Sequence, residues 1–481
     1  MFELHHLSAH EQYDWLRRGE VSPLELVDHY LERIGRLDGG PDGLGSFVTV
    51  TADAARARAR ALTDGGRSTA PLWALPLADK DLYDRAGVPT WSGSRLSLGR
   101  VPSSSSGIVE ALDAAGAISL GKTATPEFGL TSYTESLVGP PTRNPWNPSL
   151  NPGGSSGGAA AAVAAGLIPF APGSDGGGSI RIPASATGLV GLKPSRGRVP
   201  SQSGITSLGG LAVGGPLART VADAGMLLDA MVSPDSLPAR HPYALRAPEH
   251  PDGPGFGSAY LGSALRGEGR YEIGVMTTSP WDDVYDVTID PSARDALQLT
   301  VDHLAAIGHG LDETSLPPSD YGTHFRTLWQ AGAASIPAEG ADLDLLEPIT
   351  RWLVLQGRSL GARDLAGALA GLTAFERMVI ARFDRFDAVL TPTNALPPRP
   401  NGWYDAVDAE RNFEQQCLYA PFTSFVNVAG LPAISLPVHE ADGLPVGVQL
   451  IGRPGREDVL LAIGAQLERR IKWHRRHPPQ W

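Results

Sequence analysis

The chain has little cysteine and no long apolar run. Cys417 is the single cysteine among 481 residues, which excludes an intramolecular disulfide and a thiolate cluster for zinc or iron–sulfur. A lone cysteine is more often a buried apolar side chain than a nucleophile. The N-terminal sequence lacks the apolar core of a signal peptide, and no stretch approaches the ~18 apolar residues of a membrane span. We therefore expect a cytoplasmic protein that has no membrane as a partner.

Charge is also scarce. Charged residues make up 19% of the chain, and 40 basic against 52 acidic side chains leave a formal net charge of −12. The basic residues form no stripe longer than a few positions, whereas a surface that binds nucleic acid needs one. Nucleic acid is therefore not an expected partner.

Glycine and proline are plentiful instead. The 57 Gly and 41 Pro make up about a fifth of the chain, which is above the roughly 12% of average proteins but below the range of low-complexity sequences. With 42% hydrophobic residues, a chain of this length can bury a sizeable core. The composition thus predicts a folded protein of one large domain or of two to three ordinary ones.

Local patterns along the chain predict an α/β protein. Capping boxes at Ser8 and at Ser22 indicate the starts of two N-terminal helices. From residue 71 to 216, short apolar runs alternate with Gly, Pro and Ser around an Ala-rich helix at 158–165, a texture typical of short buried strands. Near the C-terminus, FDAVLTPT, LPAISLPV and LPVGVQLIG predict strands, and an amphipathic helix follows at 458–469.

Two catalytic or binding motifs match in the wrong context. GAISLGKT at residues 116–123 satisfies the P-loop pattern, yet a helix-like stretch precedes it and a strand-like run fills its variable positions. In GGSSGG, Ser155 and Ser156 both satisfy the nucleophile elbow of α/β-hydrolases, with His439 as a downstream partner. The proline-rich RNPWNPSLNP before them cannot form the apolar strand that an elbow needs. Neither motif is therefore the favoured interpretation.

A set of ordered blocks is more specific. PLADKD contains Lys80, GGSSGG contains Ser155, and GSDGGGSIRIPA contains Ser179. They occur together with GKTATPEFG, TRNPWNPS, GLVGLKPSRGRVP, GGPLARTVADAGMLLDAM, FDAVLTPT, NVAGLPAISLPV and GLPVGVQLIG. In these blocks, which extend over most of the chain, the sequence resembles the amidase signature family. The resemblance implies an α/β fold in which helices cover both faces of a central twisted mixed β-sheet.

That fold would occupy residues 1–481 as a single large domain. Within it we expect N-terminal helices at 1–65, a catalytic core at 66–231, a variable substrate-side region at 232–371, and C-terminal strands and a helix at 372–481 that complete the core. A long surface loop is expected over residues 241–257.

The resemblance implies a catalytic triad without histidine. Ser179 is then the nucleophile, Ser155 is a bridging serine that follows a cis peptide bond after Gly154, and Lys80 is the general base. Lysine is protonated in water up to about pH 10.4, so burial or nearby positive charge must lower its pKa before it can accept a proton. Asp79 departs from the aliphatic residue that the family usually carries, and we expect its carboxylate to point away from Lys80.

The glycine-rich segment before Ser179 offers backbone donors for an oxyanion, because absent side chains allow consecutive N–H groups to converge on one point. Asp175 and Arg181 flank Ser179 in the same block, and we expect them to anchor it through charge-assisted hydrogen bonds. We expect the hydroxyl of Ser156 to stabilise the loop rather than to react. No metal and no organic cofactor is implied. The oxyanion hole would consist of the N–H groups of Gly176, Gly177, Gly178 and Ser179.

The expected activity is hydrolysis of a carboxamide C–N bond through an acyl-enzyme, with aryl amides, anilides and carbamates as candidate substrates and a homodimer as the candidate assembly. The alternative is the glutaminase subunit of a tRNA-dependent amidotransferase. Such subunits usually carry an arginine that holds the glutamine carboxylate, whereas Phe375 and Met378 lie in the comparable region here. Trp329, Trp352 and Phe325 suggest an apolar or aryl pocket, although core packing would explain them equally well.

Overall fold

The fold is that of a computed structural model, which describes residues 3–199, 207–232, 245 and 259–481. Its helices are α1 (Ala9–Arg18), α2 (Pro23–Leu37), α3 (Ala52–Asp64), α4 (Gly107–Ala114), α5 (Gly157–Ala164), α6 (Arg181–Thr187), α7 (Val221–Val232), α8 (Ala259–Arg266), α9 (Pro291–Ile307), α10 (Tyr321–Ala333), α11 (Pro348–Ser359), α12 (Ala362–Phe383), α13 (Ala409–Tyr419), α14 (Ser424–Val428) and α15 (Glu457–Ile471). Its strands are β1 (Phe47–Val50), β2 (Pro76–Lys80), β3 (Ile118–Thr123), β4 (Phe170–Asp175), β5 (Val190–Lys193), β6 (Val213–Ala218), β7 (Glu272–Val275), β8 (Gly310–Glu313), β9 (Ala388–Pro392), β10 (Ala433–Ala441) and β11 (Leu444–Gly452).

The two N-terminal helices begin where their capping boxes predict. The Ser8 hydroxyl accepts a hydrogen bond from the Glu11 amide at 3.2 Å, and the Ser22 hydroxyl accepts one from the Glu25 amide at 3.2 Å. In return, each glutamate carboxylate accepts a hydrogen bond from the amide of its serine at 2.8 Å. The first backbone N–H groups of a helix have no acceptor within the helix, and here these side chains supply one. The starts of α1 and α2 are therefore well defined.

The large sheet has eight strands in the order β4-β6-β5-β10-β11-β9-β7-β8 within the described ranges. Neighbours from β4 to β9 pair antiparallel, whereas β9, β7 and β8 pair parallel. The predicted α/β fold with a mixed sheet is thus confirmed. A separate three-stranded sheet, in the order β1-β3-β2, was not predicted; β2 ends at Lys80.

Helices cover both faces of the large sheet. On β11, a Cβ added at Gly447 would lie 2.7 Å from the Ser185 hydroxyl of α6, and one added at Gly452 would lie 3.1 Å from the Leu460 side chain of α15. The two glycines are an odd number of residues apart on one strand, so their side-chain directions are opposite. Helices α6 and α15 therefore pack on opposite faces, as the resemblance implies.

The described apolar side chains form two large cores. One surrounds the sheets and the N-terminal helices, and the other joins α10 to α14 around residues such as Tyr321, Phe375 and Phe425. The boundary expected between residues 371 and 372 does not coincide with the end of an element, because α12 runs through it without interruption. The reason is packing: Leu372 and Phe375 of this helix are both buried in the second core.

Most other predicted elements are present within a residue or two. The Ala-rich helix α5 begins and ends one residue before its predicted bounds, and α15 is slightly longer than predicted. Residues 118–123 of the P-loop-like segment form β3 after α4, and an extended strand cannot curl around a phosphate, so that motif is excluded. The loop predicted over residues 241–257 lies outside the described residues, apart from Leu245. None of the described helices is long and apolar enough to cross a membrane.

Candidate active site

Lys80 lies at the end of β2 and is fully buried. Its Nζ lies within hydrogen-bond distance of three serine hydroxyls, those of Ser155 at 2.8 Å, Ser156 at 2.9 Å and Ser174 at 2.9 Å. Successive residues of a strand point to opposite faces, so Asp79 points away from this cluster. Its carboxylate accepts instead from the guanidinium of Arg85 at 2.6 Å, as well as from the Ser119 hydroxyl. The expected orientation of Asp79 is thus confirmed.

The environment of Lys80 favours a neutral amine. Burial lowers its pKa from the ordinary value to about 7, and the negative charge of Asp175 opposes this effect without cancelling it. A neutral amine carries a lone pair and can accept a proton near neutral pH. The site thus meets the electrostatic requirement that the sequence set for a lysine base.

Ser155 follows a cis peptide bond after Gly154, as predicted. A Cβ added at Gly154 would lie only 2.5 Å from the Tyr133 carbonyl oxygen, so a larger residue would not fit. The next residue, Ser156, donates its backbone N–H to the carbonyl oxygen of Ser179 at 3.1 Å. The serine loop and the Ser179 segment are therefore in direct contact, and Ser155 and Ser179 line the same cavity.

Asp175, at the end of β4, organises the glycine-rich turn. Its carboxylate accepts hydrogen bonds from the amides of Gly178 at 2.8 Å and Ile180 at 3.1 Å. The amide of Gly178 is therefore occupied, and its predicted place in the oxyanion hole is corrected for that reason. The amides of Gly176, Gly177 and Ser179 have no hydrogen-bond acceptor among the described residues.

A buried ion pair between Asp175 and Arg181 holds this turn. The Arg181 guanidinium contacts both carboxylate oxygens of Asp175, at 2.9 and 3.0 Å, and neither side chain is exposed. Arg181 also donates to the side chains of Gln449 and Asn427, each at 2.6 Å, and to the Thr423 carbonyl. Burial alone would raise the pKa of Asp175, but the charge and hydrogen bonds of Arg181 hold it well below its ordinary value.

Ser179 lies between two cavities. The smaller, of about 60 Å³, is bounded mostly by apolar groups, and the larger, of about 590 Å³, is also lined by Ser155 and Ser174. No described residue that lines either cavity is charged. Trp329 lines both cavities, whereas Trp352 lines neither and packs against Phe413 instead. The aromatic residues of the smaller cavity are Trp281, Phe325, Trp329 and Phe413.

The sequence interpretation did not place Ser174, Ser424 or Cys417 at the site. Ser174 contacts Lys80, and Ser424 and Cys417 line the smaller cavity. Burial raises the pKa of the Cys417 thiol well above its ordinary value, which favours the unreactive thiol over a thiolate. Ser174 lies one residue before the end of β4, the strand that leads to Ser179. This position is the only local sequence signal that could have indicated Ser174. Ser424 had none, because its proximity depends on a long-range contact.

These features together form a cavity-lining serine cluster in contact with a buried lysine. A serine in a cavity wall beside free backbone amides, next to a hydroxyl that contacts a buried lysine, is an arrangement suited to acyl transfer. The nucleophile-elbow alternative does not apply, because the described backbone before Ser155 contains no strand that leads into it.

Comparison with known proteins gives the family. The amidase family profile matches residues 25–461, so the chain belongs to the amidase signature family. A candidate amidase from Synechocystis sp. is 34% identical over 485 residues, which cover 97% of this chain and 89% of the relative. A glutamyl-tRNA(Gln) amidotransferase subunit from Roseiflexus sp. is 33% identical over 504 residues, which cover 99% of this chain and 98% of the relative.

Solved structures agree with this assignment. A 6-aminohexanoate cyclic dimer hydrolase in complex with substrate matches with a TM-score of 0.86 at 29% identity, covering 99% of this chain and 100% of that chain. A bacterial aryl acylamidase of the amidase signature family matches with a TM-score of 0.83 at 26% identity, covering 98% and 97%. The chain is accordingly a hydrolase that acts on amide C–N bonds.

Proposed function

We propose that this amidase hydrolyses neutral N-aryl amides and carbamates with a short acyl group, through an acyl-enzyme on Ser179. The observation that carries the proposal is the position of Ser179 between two uncharged cavities of unequal size, beside a buried lysine–serine contact.

The hydrogen bonds of Lys80 support a proton relay. A neutral amine has two N–H groups and one lone pair, yet three hydroxyl oxygens lie within 2.9 Å of Nζ. In the neutral state, therefore, one of these hydroxyls donates to Nζ. Ser155 also lines the larger cavity together with Ser179. The residue after it, Ser156, donates its backbone N–H to the Ser179 carbonyl. The hydroxyl of Ser155 is thus the one suited to pass the Ser179 proton to Lys80.

The reaction would follow from this relay. Lys80 takes the proton of Ser155 as Ser155 takes that of Ser179, and Ser179 Oγ attacks the carbonyl carbon. The oxyanion accepts hydrogen bonds from free backbone amides of the glycine turn. Lys80 then returns the proton through Ser155 to the leaving nitrogen, the C–N bond breaks, and a water molecule releases the acid by the same relay.

The two sides of the substrate can be assigned from the relay. The leaving nitrogen must lie near Ser155, which delivers its proton, and Ser155 lines the larger cavity. The amine portion therefore occupies the cavity of about 590 Å³, and the acyl portion enters the one of about 60 Å³. An apolar cavity of about 150 Å³ accepts benzene. The larger cavity thus accommodates an aryl amine, whereas the smaller one restricts the acyl group to a few atoms.

The lack of charge in both cavities bears on the glutaminase alternative. Free glutamine carries a carboxylate and an ammonium group, and buried charges need partners. No described lining residue supplies one. Phe375, from the region where amidotransferase subunits usually carry arginine, packs against Tyr321 with ring centroids 4.7 Å apart. These contacts favour neutral amides over glutamine, although the similarity to an amidotransferase subunit makes glutamine the comparison substrate of choice.

The proposal is tested with 4-nitroacetanilide and L-glutamine as substrates of the purified chain. We expect hydrolysis of the anilide, no measurable ammonia from glutamine, and loss of at least about 10³-fold in kcat for Ser179→Ala. A fluorophosphonate probe should label Ser179 alone. Labelling of another serine, or glutamine as the better substrate, would overturn the proposal.

A further inference from the structure

Ser424 places a hydroxyl group in the wall of the smaller cavity. It is the first residue of α14 and is 6% exposed. A Cβ added at Gly177 would lie 3.8 Å from the Cβ of Ser424, so this side chain faces the glycine turn before Ser179. Its hydroxyl oxygen also contacts two buried donors, the Trp281 indole N–H at 3.1 Å and the Tyr321 hydroxyl at 2.7 Å.

The directions of these two hydrogen bonds follow from what the partners can do. An indole N–H is a donor only. Tyr321 is 1% exposed, and its proton has no acceptor other than Ser424 among the described residues. An unpaired buried donor costs about 1–3 kcal/mol, so Tyr321 donates to Ser424 rather than the reverse. Ser424 therefore accepts two hydrogen bonds.

The remaining proton of Ser424 is available to a group in the cavity that Ser424 lines. A hydroxyl oxygen has two lone pairs and one proton, and both lone pairs are used by Trp281 and Tyr321. The described part of the chain offers this proton no acceptor, while the side chain lines the cavity together with Gly177 and Ser179. Two buried aromatic donors thus occupy the lone pairs of Ser424 and leave its O–H group free beside Gly177 and Ser179.

We propose that Ser424 determines acyl specificity by donating a hydrogen bond to an acceptor atom of the acyl group. The inference rests on the proposed function, which places that group in the smaller cavity. The cavity is small, uncharged and mostly apolar, so the matching acyl group is small, neutral and carries an ether or carbonyl oxygen beyond the scissile carbonyl. Alkoxyacetyl groups are of this class.

The test uses the methoxyacetyl and butyryl amides of 4-nitroaniline. These substrates have equal numbers of non-hydrogen atoms and differ by an ether oxygen in place of a CH₂ group. The measured quantity is the ratio of their kcat/KM values in the wild type and in Ser424→Ala. We expect the variant to lower the ratio about 2- to 10-fold, which corresponds to one neutral hydrogen bond. The methoxyacetyl amide is intrinsically more reactive than the butyryl amide. This difference cancels when the ratios of the wild type and the variant are compared, because it is the same for both proteins.

Two further variants complete the design. Ser424→Cys keeps an acceptor atom for Trp281 and Tyr321 but has a weak donor, so its ratio should fall as well even if Ser424→Ala does not fold. Ser335→Ala removes a hydroxyl from the larger cavity and should change both rates by the same factor. An unchanged ratio in the folded Ser424 variants overturns the inference while the proposed function stands. If the wild type hydrolyses neither anilide, the proposed function itself fails.

Discussion

Three buried lysines show how surroundings decide the chemistry of one residue type. Lys80, Lys122 and Lys193 are each at most 1% exposed. Lys122 has a counter-ion, because its Nζ lies 3.0 Å from the Asp81 carboxylate. Burial lowers the pKa of both Lys80 and Lys193 to about 7, yet Lys193 donates to the Pro194 carbonyl whereas Lys80 contacts serine hydroxyls. Position, and not a lowered pKa alone, distinguishes the proposed base.

The pH dependence of acylation should report on Lys80. The base must be neutral, so kcat/KM for 4-nitroacetanilide should rise with pH and level off above an apparent pKa of about 7. Lys80→Met should remove this limb together with most of the activity. The measurement is a kcat/KM profile from about pH 5.5 to 9 in buffers of constant ionic strength.

Lys193→Met is the matched control for this profile. It removes the other buried lysine whose pKa lies near 7, but one that does not contact the serine cluster. The ascending limb should therefore stay in place. If the limb disappears in Lys193→Met and persists in Lys80→Met, the base assignment is wrong.

At the scale of elements, the site depends on the turn between β4 and α6. Gly178 has a φ of 132°, and a Cβ added there would lie 2.4 Å from the Thr423 hydroxyl oxygen and 2.6 Å from the Ile182 side chain. At Gly177 the nearest atom to an added Cβ is in Phe325, at an ordinary 3.7 Å. The two adjacent glycines thus lack a side chain for different reasons. Gly177 preserves space in the cavity, whereas Gly178 permits the turn itself.

Alanine substitutions should separate these two roles. Gly178→Ala is expected to lower the free energy of unfolding by about 2 kcal/mol or more, because the new Cβ clashes and the backbone angle is unfavourable. Gly177→Ala should change it by less than about 0.5 kcal/mol. Its methyl group should instead reduce kcat/KM for 4-nitroacetanilide by narrowing the acyl cavity. Denaturant unfolding and kinetics on both variants check this, and equal stability losses would contradict it.

At the scale of the whole molecule, distant parts of the chain complete one another. The Arg181 guanidinium binds Asp175 from its own turn, but also Asn427 and Gln449, which are more than 240 residues away. Glu468 of α15 likewise accepts from the Val221 amide of α7 at 3.2 Å. Burial raises the pKa of Glu468 to about 8, and the charge of nearby Asp223 adds to this effect. The C-terminal helix is thus docked through an acid that the fold keeps protonated at neutral pH.

Glu468 should make the stability of the fold depend on pH. Between its ordinary pKa of about 4.5 and the raised value of about 8, the unfolded chain is ionised at this position and the folded chain is protonated. The stability that the protonated Glu468 side chain provides is therefore complete below about pH 4.5 and is lost as the pH rises through about 8. Glu468→Gln should raise the melting temperature by a few degrees at about pH 8.5 relative to wild type and by less at about pH 5.

Glu110→Gln, at an exposed position, is the control and should show no such trend. Thermal unfolding of the three proteins across this pH range provides the measurement. A stability difference between Glu468→Gln and wild type that does not grow with pH would contradict the prediction.

Much of the fold was predictable because its signals are local. Capping boxes depend on residues three positions apart, and short apolar runs between glycines and prolines indicate strands through their own composition. The division near residue 371 falls within α12, because composition does not show that this helix packs in the second core. Strand order and the separate sheet of β2 depend on pairings between distant segments, which no local pattern encodes.

For the active site, the sequence by itself determined which residue types are present in the family's motif positions: Lys80, Ser155 and Ser179, whose catalytic roles stay predictions. Tertiary structure alone decided that Lys80 has a lowered pKa, that the Gly178 amide is occupied by Asp175, and that Ser424 faces the acyl cavity. The physical reason is that desolvation and hydrogen-bond partners are set by what packs around a group, and here those neighbours come from many parts of the chain.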